Sequence, residues 1–209
     1  MLRKTLIIGL LLIASGSVFA QNLMVNPGFD NADLLTGWTC DETSGAASWS
    51  LLDSLGSLDS GSMEHNVAAP YNNATVKCSQ CVPVSELWTY VMSGWHFWPD
   101  AAVEQNGSVR WSLVFYSDTD CTPSSILGYP SATIGSRPPL ALDTWHHLVS
   151  DEFMAPAGSL SAGIGVITWQ NIADEAVRTH LDDLDFSTTT LFRDGFETGD
   201  LSEWSASAP

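Results

Sequence analysis

Apolar and polar residues alternate with a period of two along most of this chain, and turn formers take over wherever the alternation stops. Residues 108–117 (SVRWSLVFYS) set Val109, Trp111, Leu113 and Phe115 against Arg110, Ser112, Val114 and Tyr116. Residues 88–98 (WTYVMSGWHFW) place Tyr90, Met92, Gly94 and His96 on one face and Val91, Ser93, Trp95 and Phe97 on the other. Residues 161–170 (SAGIGVITWQ) separate Ile164, Val166 and Thr168 from Gly165, Ile167 and Trp169. Further strands are predicted over residues 46–52, 62–66, 74–84, 145–153 and 178–186, with a short one over 132–134. No run of ten residues has helical periodicity, and turn signals recur about every 8 to 15 residues, which predicts an all-β, antiparallel sandwich.

The chain is organised around residues 22–38 (NLMVNPGFDNADLLTGW). Leu23 and Val25 alternate with Asn22 and Met24 as in a half-buried strand. Asn26-Pro27-Gly28 then stops the ladder, because Pro27 has no N–H and Gly28 tolerates positive φ. Phe29 and Trp38 are expected in the core on either side of a short loop.

Arg3 and Lys4 precede an apolar run that is too short for a membrane span and closes on Val18-Phe19-Ala20, so residues 1–20 read as a cleaved signal peptide. Residues 21–188 then form one domain, residues 189–209 a short tail, and no membrane anchor is expected. The product is expected to be a secreted protein, extracellular or periplasmic, and a monomer. The net charge is −17; without Arg3 and Lys4, five basic residues face 24 acidic ones. Lys77, Arg110, Arg137, Arg178 and Arg193 cannot supply the basic surface that nucleic acid needs. The acidity suits solubility, a divalent cation or a neutral glycan.

Four cysteines in an exported chain imply disulfides, with three possible pairings. If residues 75–84 form one strand, Cys78 and Cys81 point to opposite faces and cannot meet the same partner. The expected pairs are Cys81 with Cys121 and Cys40 with Cys78. CxxC spacing alone supports neither a redox site nor a zinc site, because a helix after the motif and a second CxxC are both missing.

Several features together resemble one family: the opening strand followed by Gly37-Trp38, Gly61-Ser62 leading into a strand, Ser79-Gln80-Cys81-Val82, Phe115-Tyr116 before Cys121, and the closing Leu181-Asp182-Asp183-Leu184-Asp185-Phe186. The chain resembles the secreted carbohydrate-binding modules of families four, nine and twenty-two, the CenC-like, galactose-binding-like jelly rolls, over residues 22–188. The resemblance implies a non-catalytic jelly roll that binds a poly- or oligosaccharide. It also implies a structural calcium where the first and last strands meet, at Asn26, Asp30 and the pair Asp182 and Asp183. Strand alternation would let only one of that pair face inward. Residues 191–205 (LFRDGFETGDLSEWS) look like a short C-terminal element found on diverse secreted bacterial proteins.

A sugar site needs a flat aromatic surface for the apolar face of a pyranose ring, bordered by hydrogen-bonding groups. Trp95, Trp169 and Arg110, with Ser93 and Ser112 between them, would supply this if they shared one sheet face; Trp98 and Tyr129 lie in loops beside prolines. Against this, tryptophans in a sandwich are mostly core. An enzyme is not expected: no carboxylate pair stands out, and there is no GxSxG, HExxH or phosphate loop. His146 and His147 are adjacent in a strand and point apart, while His65, His96 and His180 are isolated. The rival readings are an extracellular structural or adhesive sandwich without a sugar site, and a small hydrolase or lyase with a carboxylate cluster hidden in the sequence.

Overall fold

A computed structural model describes residues 21–30, 36–68, 70, 73–99, 107–130, 135–136, 141–172 and 176–189. The leader, the strand expected over residues 132–134 and the tail from residue 190 lie outside the described residues. The strands are β1 (Thr39–Asp41), β2 (Gly45–Ser50), β3 (Ser62–Val67), β4 (Thr75–Pro83), β5 (Thr89–Phe97) and β6 (Gly107–Tyr116). They continue with β7 (Ile126–Gly128), β8 (Gly135–Ser136), β9 (Trp145–Val149), β10 (Phe153–Met154), β11 (Ser161–Gln170) and β12 (Val177–Thr188). One short 3₁₀ turn, Pro123–Ser125, precedes β7.

Two antiparallel six-stranded sheets result. The first runs β1-β4-β11-β6-β7, with β8 also on β6; the second runs β10-β5-β12-β3-β2, with β9 also on β5. The first sheet turns Val76, Cys78 and Val82 inward from β4, Ile164 and Val166 from β11, and Val109, Trp111, Leu113 and Phe115 from β6. Against them the second packs Met63, Val67, Tyr90, Met92, Leu181, Leu184 and Phe186. Tyr90 stacks on Phe186 (centroids 5.0 Å apart) and contacts Phe115 across the sandwich (6.5 Å). Burying each large side chain of this kind contributes about 1.5–3 kcal/mol. The period-two pattern thus becomes a sandwich because each strand has one apolar side, and two such sides cover one another.

The connection between β4 and β5 crosses from one sheet to the other and is a corner; Ser85 N–H donates to the Tyr90 hydroxyl there (2.8 Å). Residues 145–153 form two strands rather than one. Both pair with β5, and Ser150 breaks the run by donating its N–H to Met92 O (2.8 Å) while its hydroxyl accepts Met92 N–H (2.9 Å).

The opening segment lies beside the closing strand. Leu23 N–H donates to Phe186 O (2.9 Å), and the Asn22 side chain both donates to Leu184 O (2.8 Å) and accepts Phe186 N–H (3.1 Å). Its phase is the reverse of the one predicted: Met24 is buried and Val25 is 53% exposed. The reason is Gln80, whose buried amide accepts Val25 N–H (2.9 Å) and donates to Val25 O (2.6 Å), holding that peptide like a strand neighbour. Phe29 and Trp38 are core residues in contact (5.9 Å).

Candidate functional site

The outward face of the first sheet is organised in rows set by register. Lys77 and Arg110 both stand opposite Ile167; Ser79 and Ser112 flank Gly165; Cys81 and Val114 flank Gly163; Pro83 and Tyr116 flank Ser161. These four rows extend about 20 Å along the strands. The central strand offers two glycines where its neighbours carry side chains, so the middle of the face sinks into a groove of about 290 Å³.

What fills the space over the glycines follows from their missing Cβ atoms. A Cβ on Gly163 would stand 3.1 Å from Tyr116 Cε2 and 3.3 Å from its hydroxyl oxygen, so the Tyr116 ring lies across the floor. A Cβ on Gly165 would meet Ser112 Oγ at 2.7 Å and Lys77 Cε at 3.5 Å. Partial burial raises the Tyr116 phenol pKa, and Tyr129 and Asp118 act in the same direction. The groove therefore combines one aromatic ring with the hydroxyls of Ser79 and Ser112, the Lys77 ammonium and Thr39 at the β1 edge.

Both disulfides pair as expected, Cys40 with Cys78 and Cys81 with Cys121. Cys78 is buried and Cys81 exposed, so only two residues of one strand separate an interior bridge from one that lines the groove. Cys81–Cys121 ties the β6–β7 loop against β4 beside Tyr116.

The expected aromatic constellation is divided. Trp169 is on the groove sheet, one row beyond Lys77 and Arg110, and the Arg110 guanidinium sits over its ring, 4.9 Å from the centroid. Trp95 and Ser93 are on β5 in the other sheet, facing away from the groove, where Trp95 packs on His147 (4.9 Å). Trp95 therefore cannot share a ligand with Trp169, since alternation was legible within each strand but the sheet to which each strand belongs was not. Trp98 is 0% exposed and packs edge-on against His96 (5.0 Å); it is a core residue and not a ligand contact. Tyr129 is 68% exposed and borders a separate small cavity with Pro130, Met154 and Pro156. Tyr116, Lys77 and Ser79 were missed as site residues, although Gly163 and Gly165 two apart on an outward face were the available signal.

The proposed calcium residues lie where the opening segment, which is extended but not a strand, meets the closing strand β12. Pairing between β12 and β5 shifts register between Asp182 and Asp185, and Asp183 takes a left-handed φ of 45°. The bulge cancels the expected alternation: Ser54 N–H donates to Asp182 Oδ2 and Ser54 Oγ–H to Asp183 Oδ2, each at 2.8 Å. Asp183 N–H also donates to Asp182 Oδ1 (2.8 Å). Burial pushes the Asp182 carboxyl up to about 7, against the lowering effect of the N–H donors from Ser54 and Asp183. Asp30 Oδ1 and Asp183 Oδ1 stand 3.4 and 3.2 Å from the point that a Cβ on Gly28 would occupy, so the two carboxylates face each other across Gly28. Asn26 belongs to the same turn, with φ 48°. Among the described residues no three His, Cys, Asp or Glu side chains group tightly enough to hold an ion. A calcium ion here would need carbonyl or amide oxygens as well, which suits a hard cation.

No family model and no curated protein matches the sequence. Solved structures do match in fold. TmCBM61, solved in complex with β-1,4-galactotriose, superposes with a TM-score of 0.54 at 14% identity, covering 81% of this chain and 99% of that one. Carbohydrate-binding modules described as of the β-sandwich superfamily give 0.54 at 15% identity, over 76% of this chain and 60% of that one. The enzymatically active domain of tailspike protein 4 from bacteriophage CBA120 gives 0.55 at 14% identity, over 80% of this chain and 21% of that one. The chain shares the β-sandwich fold of these carbohydrate-binding modules. It spans only about a fifth of the tailspike domain and three fifths of the superfamily structure. Among the described residues no helix is long and apolar enough to cross a membrane.

Proposed function

We propose that this protein is an exported, non-catalytic, monomeric glycan-binding module that takes a poly- or oligosaccharide along the groove of the first sheet. The observation that carries the reading is the Tyr116 ring laid over Gly163, next to a floor lined by serine hydroxyls. A pyranose ring stacks its C–H face on Tyr116 and turns its hydroxyls to Ser79, Ser112 and Lys77. Trp169, with Arg110 on its ring, extends the surface at the far end. The shared fold with modules solved with a galactotriose supports this reading, and the two disulfides suit an oxidising compartment.

Affinity gel electrophoresis tests it, with β-1,4-galactan, xylan or soluble β-glucan cast in the gel. One of these polymers retards the wild type, Tyr116→Ala reduces retention about tenfold or more, and Trp95→Ala leaves it unchanged. Unaltered mobility in every gel, or full retention by Tyr116→Ala, would overturn the proposal.

Calcium belongs to the same reading as a structural element. Asp182 and Asp183, with Asp30 opposite across Gly28, would supply carboxylate oxygens only together with carbonyl or amide oxygens of the turn at Asn26, and the ion would neutralise Asp182, the one of the three that is buried. Added calcium then raises the melting temperature above pH 7 and excess chelator lowers it. Asp183→Asn abolishes the calcium response. A melting temperature indifferent to both additions removes the metal from the account.

A further inference from the structure

The charge on the groove floor is opposite to that of the chain. Seven Lys and Arg stand against 24 Asp and Glu, giving −17 overall. Three of the seven cations, Lys77, Arg110 and Arg178, are among the described residues. Arg178, in the second sheet, pairs with Glu64 (3.7 Å). Lys77 and Arg110 stand in one row of the first sheet, on either side of Ile167, and both are exposed; among the described residues neither forms an ion pair. No described residue that lines the groove is acidic. Two acids at its rim are held by their own loops. Asp41, opposite Lys77 on β1, accepts Thr43 N–H (3.1 Å) and Oγ–H (2.6 Å), and Asp118 accepts Thr122 N–H (3.3 Å).

The two cations are spread along the groove. Lys77 folds over its floor, with Cε 3.5 Å from the point that a Cβ on Gly165 would occupy, whereas Arg110 leans the other way onto the Trp169 ring (4.9 Å). Along β11, Gly165 lies about 7 Å from Gly163, which Tyr116 covers, and about 13 Å from Trp169. The two charged heads thus serve different levels of the groove and meet charges on different rings of one chain. In a surface this acidic, two cations with no carboxylate between them reverse the local field, so an anion is drawn here and repelled elsewhere.

We propose that the glycan taken by the groove is acidic, carrying carboxylates or sulfate esters on rings beyond the one stacked on Tyr116. This rests on the groove being the glycan site. The Lys77 ammonium meets one anionic group over Gly165, and the Arg110 guanidinium, backed by Trp169, meets a second further along. Hydrogen bonds from either cation to an anionic oxygen are shorter and stronger than those to a neutral hydroxyl. Ser79 and Ser112, on either side of Gly165, take the uncharged hydroxyls. Repulsion from acids elsewhere on the surface is largely screened beyond about 8 Å at physiological salt, whereas contacts on the floor are not.

Isothermal titration calorimetry on the whole protein at about 0.15 M sodium chloride tests this. The probes are β-1,4-galactan, xylan and soluble β-glucan, each in neutral, partly carboxylated and partly sulfated form. For at least one backbone an acidic form binds about fivefold or more tighter than the neutral one, and the better of the two acidic forms identifies the anion. Lys77→Met and Arg110→Gln each lower this ratio, the double variant brings it to about one, and Lys77→Arg keeps it. Tyr116→Ala weakens neutral and acidic forms alike. Neutral polymer bound as tightly as both acidic forms overturns the proposal and leaves the groove a glycan site, as does an acid preference that survives in the double variant. No binding of any form removes the groove as a glycan site and the proposal with it.

Discussion

A methyl group on Gly163 would press on Tyr116 Cε2 at 3.1 Å from the solvent side of the sheet, where the ring can lift by a few tenths of an ångström. Gly163→Ala therefore costs under about 1 kcal/mol of stability but tilts the stacking surface, and glycan retention falls several-fold. Gly94 is the counter-case. A Cβ there would stand 2.4 Å from Trp111 Cη2 and 2.8 Å from Leu184 Cδ2, inside a core with nowhere to yield. Gly94→Ala costs about 1–3 kcal/mol through overpacking and leaves glycan affinity per folded molecule unchanged. Denaturant melts and affinity gels on the two variants separate these effects; equal stability losses would mean that the groove floor is packed as tightly as the core.

Strand β4 carries both bridges, and its alternation assigns them different work. Cys40–Cys78 and Cys81–Cys121 span 38 and 40 residues, so loop-closure arguments give each about 2–4 kcal/mol. Replacing either pair with alanines should lower the denaturation midpoint by comparable amounts. Only the Cys81→Ala, Cys121→Ala variant should also lose glycan retention, because that bridge walls the groove. Retention intact in that variant would show that the loop carrying Cys121 contributes nothing to binding. Strand β4 also shows what was legible in the sequence. Period-two alternation put Cys78 and Cys81 on opposite faces, which excluded a bridge between them but left two pairings open until the structure joined Cys40 to Cys78 and Cys81 to Cys121; the same rule gave the face sets of β5, β6 and β11. It could not tell that β5 and β11 belong to different sheets, since sheet membership is decided by long-range pairing, and this separated Trp95 from Trp169. Nor could it foresee the β12 bulge, where one departure from extended backbone at Asp183 turns two consecutive carboxylates toward Ser54. Trp98 does lie past the end of β5 beside Pro99, but a loop position did not reveal that its ring turns into the core, where it is fully buried.

For the molecule as a whole, the decisive electrostatic fact is that its buried histidines are neutral. His65 bonds Thr168 Oγ1 through Nδ1 (2.9 Å), linking β3 to β11 across the sandwich, and His96 bonds Thr179 Oγ1 through Nε2 (2.7 Å). His180 lies near Ser62 Oγ (3.2 Å) and Glu64 (3.6 Å). Burial pushes His65 and His96 down to about 3 and His180 to about 4, with His146 and His180 adding to the effect on His96, and Arg178 to that on His180. The unfolded chain, whose histidines titrate near 6.5, therefore binds more protons than the folded one between about pH 6.5 and these lower values. Stability from these three groups is fully present above about pH 6.5 and is lost as the pH falls toward 3. Asp182 acts with the opposite sign: its folded carboxyl titrates near 7 rather than 3.8, so its contribution declines as pH rises from about 4 to 7. Three groups outweigh one below pH 6.5, and Asp182 acts alone just above it, so without divalent cations the melting temperature peaks near pH 6 to 7 and drops steeply in acid. His65→Gln should remove about a third of the acid slope while lowering the plateau, since the glutamine carries no proton to exchange. A melting temperature flat between pH 6.5 and 4, or an acid slope unchanged in His65→Gln, would mean that protonation at these sites is not what unfolds the sandwich.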